Sequence, residues 1–194
     1  IFHDRIIEYA FYKENNLEDQ LEVMKECHYI TSLVKPNRKF EYIITQITGI
    51  RPEELESKEP IESHVSKIRD FLTIPKGTVP YLVAHNESGF DDFFLKRILS
   101  NTPNYKELKE NWRFIDTIHL AKKIARTKHL RKYSLKALAE YYGIKEGTHR
   151  ALSDVTTLRE VYKALINDLS KELCIPFLDV LNDPKGVYEW LYDF

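Results

Sequence analysis

Apolar positions along the 194-residue chain change period several times, and each change predicts an element. Residues 5–12, RIIEYAFY, are rich in β-branched and aromatic side chains and predict a strand. Asn15-Asn16 predicts a turn. Residues 23–34 predict one or two paired strands closed by Lys35-Pro36-Asn37, completing an antiparallel meander. Residues 40–50, FEYIITQITGI, predict a short helix ending at Gly49. Pro60 then opens an amphipathic helix with Ile61, Val65, Ile68, Phe71 and Leu72 on one face.

The second half alternates. Residues 79–84 predict a buried strand, 90–99 a helix, 101–104 a loop and 112–116 another strand. Helices are predicted over 118–125 and 134–142, the second ended by Gly143. A long helix over 150–169 should bury Ala151, Val155, Leu158, Tyr162, Leu165 and Leu169. The order predicts an α/β fold: a mixed sheet, three antiparallel strands followed by parallel ones, flanked by helices. Residues 1–169 form one domain in this reading. Residues 171–194 form a helical tail rich in Tyr188, Trp190, Tyr192 and Phe194. A tail docked on the domain's own surface avoids exposing these rings together; a partner-binding or inter-domain tail is the alternative.

Composition narrows the functional classes. Lys+Arg total 29 against Asp+Glu 30, so net charge −1 gives no global argument for nucleic acid. The argument is local: no acidic residue occurs between Asp116 and Glu140, a stretch holding Lys122, Lys123, Arg126, Lys128, Arg131, Lys132 and Lys136. A solvated helix face and a track for phosphates both fit such a run. No apolar run approaches the ~18 residues of a membrane span. Cys27 and Cys174 lie in apolar surroundings without CxxC spacing, which predicts buried free thiols in a reducing, intracellular (cytoplasmic or nuclear) setting.

The candidate chemistry centres on His149-Arg150-Ala151-Leu152-Ser153-Asp154, preceded by Gly147 and Thr148. His149 should lie in the loop before the long helix and Asp154 about one turn inside it, so both can face one site. Imidazole suits proton abstraction, and a carboxylate suits a hard divalent cation. Asp91 follows the strand predicted at 79–84, at the carboxyl end where open α/β sheets build their sites. Asp92 reads as favourable charge at a helix N-terminus.

Five segments occur in order: Ile47-Thr48-Gly49-Ile50; Leu82-Val83-Ala84-His85-Asn86 with Phe90-Asp91; Ile115-Asp116-Thr117; residues 135–144, LKALAEYYGI; and His149-x-Ala151-x-x-Asp154. Together they resemble the DnaQ-like, DEDDh-type 3′–5′ exonucleases, which include proofreading domains of bacterial replicative polymerases. The resemblance covers roughly residues 1–169 and implies an RNase H-like fold. It implies that Asp91 and Asp154 are metal ligands for two Mg²⁺ or Mn²⁺ ions and that His149 is the general base. Ile47 and Thr48 resemble residues that wedge against the 3′-terminal nucleotide; Asn86 and Phe90 resemble pocket residues. The implied partner is DNA or RNA with a free 3′ end, with polymerase or other domains reached through the tail, and no membrane.

One departure stands out. The family's first motif, Asp-x-Glu on the first strand, is absent; in relatives it lies just upstream of the segment matching residues 1–9. Loss of a central strand would leave neighbouring backbone groups unpaired. The expectation is therefore a sequence lacking its natural beginning rather than a dead enzyme. Two other readings stay open: a non-catalytic nucleic-acid- or protein-binding module of the same fold, and a different metal-dependent phosphoesterase.

Overall fold

The computed structural model describes residues 6–14, 29–37, 41–75, 78–86, 91–103, 105–128, 130 and 132–192. Strand β1 (Glu8–Tyr12) pairs antiparallel with β2 (Tyr29–Leu33), Glu8 opposite Leu33 and Tyr12 opposite Tyr29. Helices α1 (Tyr42–Thr48), α2 (Pro52–Glu56) and α3 (Ile61–Leu72) follow. Then come β3 (Tyr81–Ala84), α4 (Asp91–Leu99), α5 (Tyr105–Asn111) and β4 (Arg113–Asp116), with β3 and β4 parallel. The chain continues through α6 (Thr117–Lys128), α7 (Leu135–Tyr141), α8 (Ala151–Leu173), α9 (Phe177–Leu181) and α10 (Pro184–Tyr192).

Two apolar clusters hold the layers together. Alternation along β3 and β4 sends Tyr81, Val83 and Ile115 into one cluster, with Leu120 and Ile124 of α6 and Leu165, Ile166 and Leu169 of α8. Leu82 and Phe114 point into the other, with Ile68 and Leu72 of α3, Leu95 and Leu99 of α4, and Trp112. Strand β1 obeys the same period of two. Tyr9 and Phe11 join the α3 side, where Tyr9 Oη lies 3.1 Å from His64 Nδ1. Glu8 and Tyr12 face α8, where Arg150 meets Glu8 and the Arg159 guanidinium lies 5.0 Å from the Tyr12 ring centroid. Helices thus flank the strands on both sides, as the apolar pattern predicts.

Gly49 (φ 71°) ends α1 and Gly143 (φ 66°) follows α7, both left-handed as the sequence implies. Ser134 caps α7, accepting from the Ala137 N–H. The tail folds back. Val187 and Leu191 are buried in the α8 cluster, Lys123 Nζ lies 4.3 Å from the Trp190 ring centroid, and the Asp116 N–H donates to Tyr192 Oη.

Among the described residues the strands form two two-stranded ladders, β1 with β2 and β3 with β4. The antiparallel part shows two strands there, and the rest of its predicted extent, with Asn15-Asn16 and residues 23–28, lies outside the described residues. Two expectations are corrected. Cys174 is exposed rather than buried, since it is the left-handed residue (φ 56°) that ends α8 where the chain leaves the core; Cys27 lies outside the described residues. Helix α8 also runs four residues beyond the predicted end, to Leu173. No described helix is long and apolar enough to cross a membrane.

Leu165 is fully buried at the centre of the larger cluster. Leu165→Ala should cost about 2–5 kcal/mol of unfolding free energy in a urea titration, the range for opening a cavity in such a core.

Candidate active site

The junction of the α7–α8 loop with α8 gathers the first candidates. Gly147 passes so close to α8 that a Cβ there would stand 2.1 Å from Asp154 Oδ1 and 3.2 Å from Asp154 Cα. A side chain there would require the Asp154 carboxylate to move aside and the Asp154 backbone to give by a few tenths of an ångström. His149 is left-handed, φ 56°, a backbone state unfavourable for a residue with a Cβ. This turn faces the His149 N–H toward the Asp154 carboxylate, while the Thr148 N–H donates to Ser153 Oγ at 3.1 Å. The His149 side chain is exposed and Asp154 is half-buried in the first turn of α8.

Desolvation is the main cause holding the Asp154 carboxyl above the usual carboxylate range. Nearby Glu8 and Glu146 push the same way, and His149, by charge and by its N–H, pulls back. A half-buried carboxylate whose anion is disfavoured is well suited to accept a divalent cation, which would supply the missing counter-charge.

Glu8 was not foreseen. Its carboxylate accepts from Arg150 Nε at 3.1 Å to both oxygens, from Arg150 Nη2 at 2.9 Å and from the Ala151 N–H at 2.8 Å. A carboxylate from β1 thus caps α8, because Arg150, the N-cap residue, makes no side-chain cap bond to its own helix. Glu54 of α2 also acts electrostatically on Arg150. The one available signal was a lone charge inside the apolar run RIIEYAFY.

The β3–α4 turn holds the second group. Asn86 is left-handed (φ 64°), and its N–H donates to Asp116 Oδ1 at 3.1 Å. The same oxygen accepts from the Ile118 N–H at 2.8 Å, so the Asp116 carboxylate, 2% exposed, ties the end of β3 to the start of α6. His85 Nδ1 lies 2.8 Å from Thr117 Oγ1, and burial lowers the His85 pKa. Asp91 is the first residue of α4 and is half-buried. Asp92 pairs with Lys96 one turn on, as expected of helix N-terminal charge. Phe90 lies outside the described residues.

The third group lies on α1, which buries none of its residues. Ile47 is 52% exposed, as are neighbouring Tyr42 and Ile43 to similar or greater extent. Thr48 Oγ1 donates to the Ile44 carbonyl and accepts from the Ile50 N–H, fixing the end of the helix. The described contacts therefore join His149 to Asp154, and set Asn86 beside Asp116. Asp91 and the Ile47-Thr48 pair come from separate elements.

The donor set can be weighed against the implied Mg²⁺ or Mn²⁺. Asp91 and Asp154 are hard oxygen donors of the right kind, with no thiolate to favour zinc. Among the described residues, no three His, Cys, Asp or Glu side chains stand together as a metal-holding group. The two aspartates fit as part of a site.

Because its carboxyl is raised by burial, Asp154 binds its proton more tightly folded than unfolded, so the ionised form weakens the fold at neutral pH. Stability lost to Asp154 should appear as pH rises above the usual carboxylate range and be regained in acid. Asp154→Asn, without added metal, should be more stable than the parent at pH 7. The gap should close below the carboxylate range in urea titrations across pH.

Comparison with known proteins gives the family. The exonuclease family profile RNase_T matches residues 2–162. The PolC-type DNA polymerase III of Thermotoga maritima is 31% identical over 172 residues, 87% of this chain and 11% of that protein. Exonuclease DPD1 (chloroplastic/mitochondrial) of Arabidopsis thaliana is 43% identical over 98 residues, 47% of this chain and 30% of that one. The DNA polymerase III subunit epsilon of Aquifex aeolicus is 29% identical over 140 residues, 72% and 64% of the two chains. The chain thus spans 11% of the length of its PolC relative. A zinc-bound complex of E. coli ExoI with single-stranded DNA shares the fold, with a TM-score of 0.57 at 21% identity over 79% of this chain and 34% of that one. With the profile covering most of its length and its His149–Asp154 junction in place, the chain belongs to the RNase T-type exonuclease family.

Proposed function

We propose that the chain is the 3′–5′ exonuclease unit of a nucleic-acid-processing enzyme, releasing nucleoside 5′-monophosphates from a free 3′ end of DNA or RNA. The observation that carries this reading is the turn at His149 closing over Asp154, which sets a histidine beside a half-buried carboxylate. Asp91 and Asp154 would hold Mg²⁺ or Mn²⁺. When bound, such ions supply a nucleophilic water at neutral pH and stabilise charge on the attacking and leaving oxygens.

The remaining roles belong to the chain's own residues. His149 is exposed and takes the proton from the attacking water. The bare apolar face of α1, with Ile47 beside Thr48, is suited to pack against the terminal base and hold it off its neighbour. The turn at Asn86, pinned to buried Asp116, together with Phe90 forms the other wall of the pocket. The phosphate track is the basic stretch 122–136, where Lys122 and Lys132 are exposed to solvent.

A second reading is favoured by one observation: the described residues contain no complete metal-holding group. In that reading the chain is a nucleic-acid- or protein-binding module without catalysis. An oligonucleotide labelled at its 5′ end separates the two, because a 3′–5′ exonuclease shortens it stepwise when Mg²⁺ or Mn²⁺ is added and a binding module leaves it intact. In the active protein, Asp154→Ala should lower mononucleotide release by roughly 10³-fold or more while leaving the far-ultraviolet spectrum unchanged. An Asp154→Ala variant with full activity would remove that carboxylate from the site. Replacing Lys128, Arg131 and Lys132 by Ser should reduce the slope of log affinity against log salt by up to about 2 for a single strand. An unchanged slope would return those side chains to the role of a solvated face.

A further inference from the structure

We propose that Glu8 is a positioning residue for the His149–Asp154 pair, clamping Arg150 and capping α8 so that the loop carrying His149 meets Asp154 at a fixed angle. The proposal rests on the exonuclease reading and deepens it by adding a part of the machinery that does not touch substrate.

Glu8 has a side chain 11% exposed, and both its oxygens are engaged by Arg150 and the Ala151 N–H. A carboxylate so placed is satisfied only while a guanidinium and a helix N-terminus converge on it. Both partners adjoin His149 in sequence. The other described bonds of the 144–150 loop are of a different kind. Thr148 bonds to Ser153 and Thr157 Oγ1 donates to the Lys145 carbonyl, both within the loop and α8, and the Ile144 N–H donates to the Ala139 carbonyl of α7. Lys136 of α7 pairs with Glu146 at 3.0 Å, with both side chains substantially exposed. Such a pair in solvent contributes little.

Glu8 therefore supplies a tie between the start of α8 and the sheet, its own carboxylate largely buried and the Arg150 side chain 40% exposed. Its own strand is fixed independently: Tyr9 packs into the α3 cluster, and β1 pairs with β2 along its whole length. Farther along α8, Arg159 and Lys163 both reach Glu14, just past the end of β1. Strand and helix thus run side by side with ion pairs at two levels. Only the Glu8 level lies at the loop that carries the base. Without it, the left-handed turn at His149 keeps its local bonds but loses the external reference that orients it.

The test uses the complete natural polypeptide that contains this chain, with Glu8→Ala and Glu8→Gln variants. Glutamine keeps an acceptor for the Ala151 N–H and loses the charge-assisted grip on Arg150. In Glu8→Ala, kcat for mononucleotide release should fall roughly 10–100-fold with KM for the oligonucleotide nearly unchanged, the range for groups that orient a metal site's residues. Glu8→Gln should recover part of that loss.

Hydrogen exchange should show the amides of 148–154 losing protection by about tenfold or more in Glu8→Ala while those of 161–169 keep theirs. Uniform loss of protection through α8, a matched fall in kcat and rise in KM, or an unchanged kcat with a loosened loop would each overturn the proposal. If the parent enzyme releases no nucleotide, the exonuclease reading fails, and exchange alone decides the clamp: loosening confined to 148–154 upholds it and its absence overturns it. Should Glu8→Ala not fold, the same measurements on Glu8→Gln, with smaller changes expected in the same direction, decide it.

Discussion

A long helix must satisfy the N–H groups of its first turn, and α8 does so in part with a carboxylate borrowed from a strand 142 residues earlier. Arg150 leaves its own helix uncapped and instead turns its guanidinium onto Glu8, which also accepts the Ala151 N–H. Because the strand is held on its other face by the α3 cluster, the start of α8 is registered against the sheet rather than merely against its own loop. The close pass of Gly147 over Asp154 and the left-handed turn at His149 lie beside that junction. Each is a local conformation the chain would avoid in isolation, and each persists because the surroundings determine it from several sides.

The same logic recurs at the other turn of the site. Asp116 is almost wholly buried, which is acceptable for a carboxylate only when donors converge on it. Here one oxygen accepts from Asn86 at the end of β3 and from Ile118 in the first turn of α6. The strand end that leads toward Asp91 is thereby locked to the neighbouring strand. The C-terminal helix adds a cover: Tyr192 accepts from the Asp116 N–H while Leu191 and Val187 fill the core beneath. Among the described residues, Tyr188, Trp190 and Tyr192 thus take part in the domain's own packing.

Membership of an exonuclease family gives these arrangements a purpose. Under the proposed function, rigid elements would set His149, the half-buried Asp154 and the turn at Asn86, whereas α1, which buries none of its own residues, presents its apolar face to solvent. A site that must grip the end of a flexible polymer needs both: fixed polar groups where bonds are cut and an accessible apolar surface where a base can lodge.

Local information was enough for much of this. The 3.6-residue and two-residue periods located α3, α4, α6, α7, α8, β3 and β4 within a few residues, since amphipathic burial is written into neighbouring positions. His149 and Asp154, five residues apart at a helix start, could be paired by helical geometry alone. The short helices α2 and α5 left too little periodic signal to be foreseen. Cys174 looked buried because its neighbours are apolar, yet it sits at a left-handed helix end turned to solvent. The grip of Glu8 on Arg150 was decided only in three dimensions. A single charge within an apolar strand does not say which distant cation or helix end will neutralise it. That partner is fixed by how β1 and α8 pack, a relation between segments that no local stretch of sequence contains.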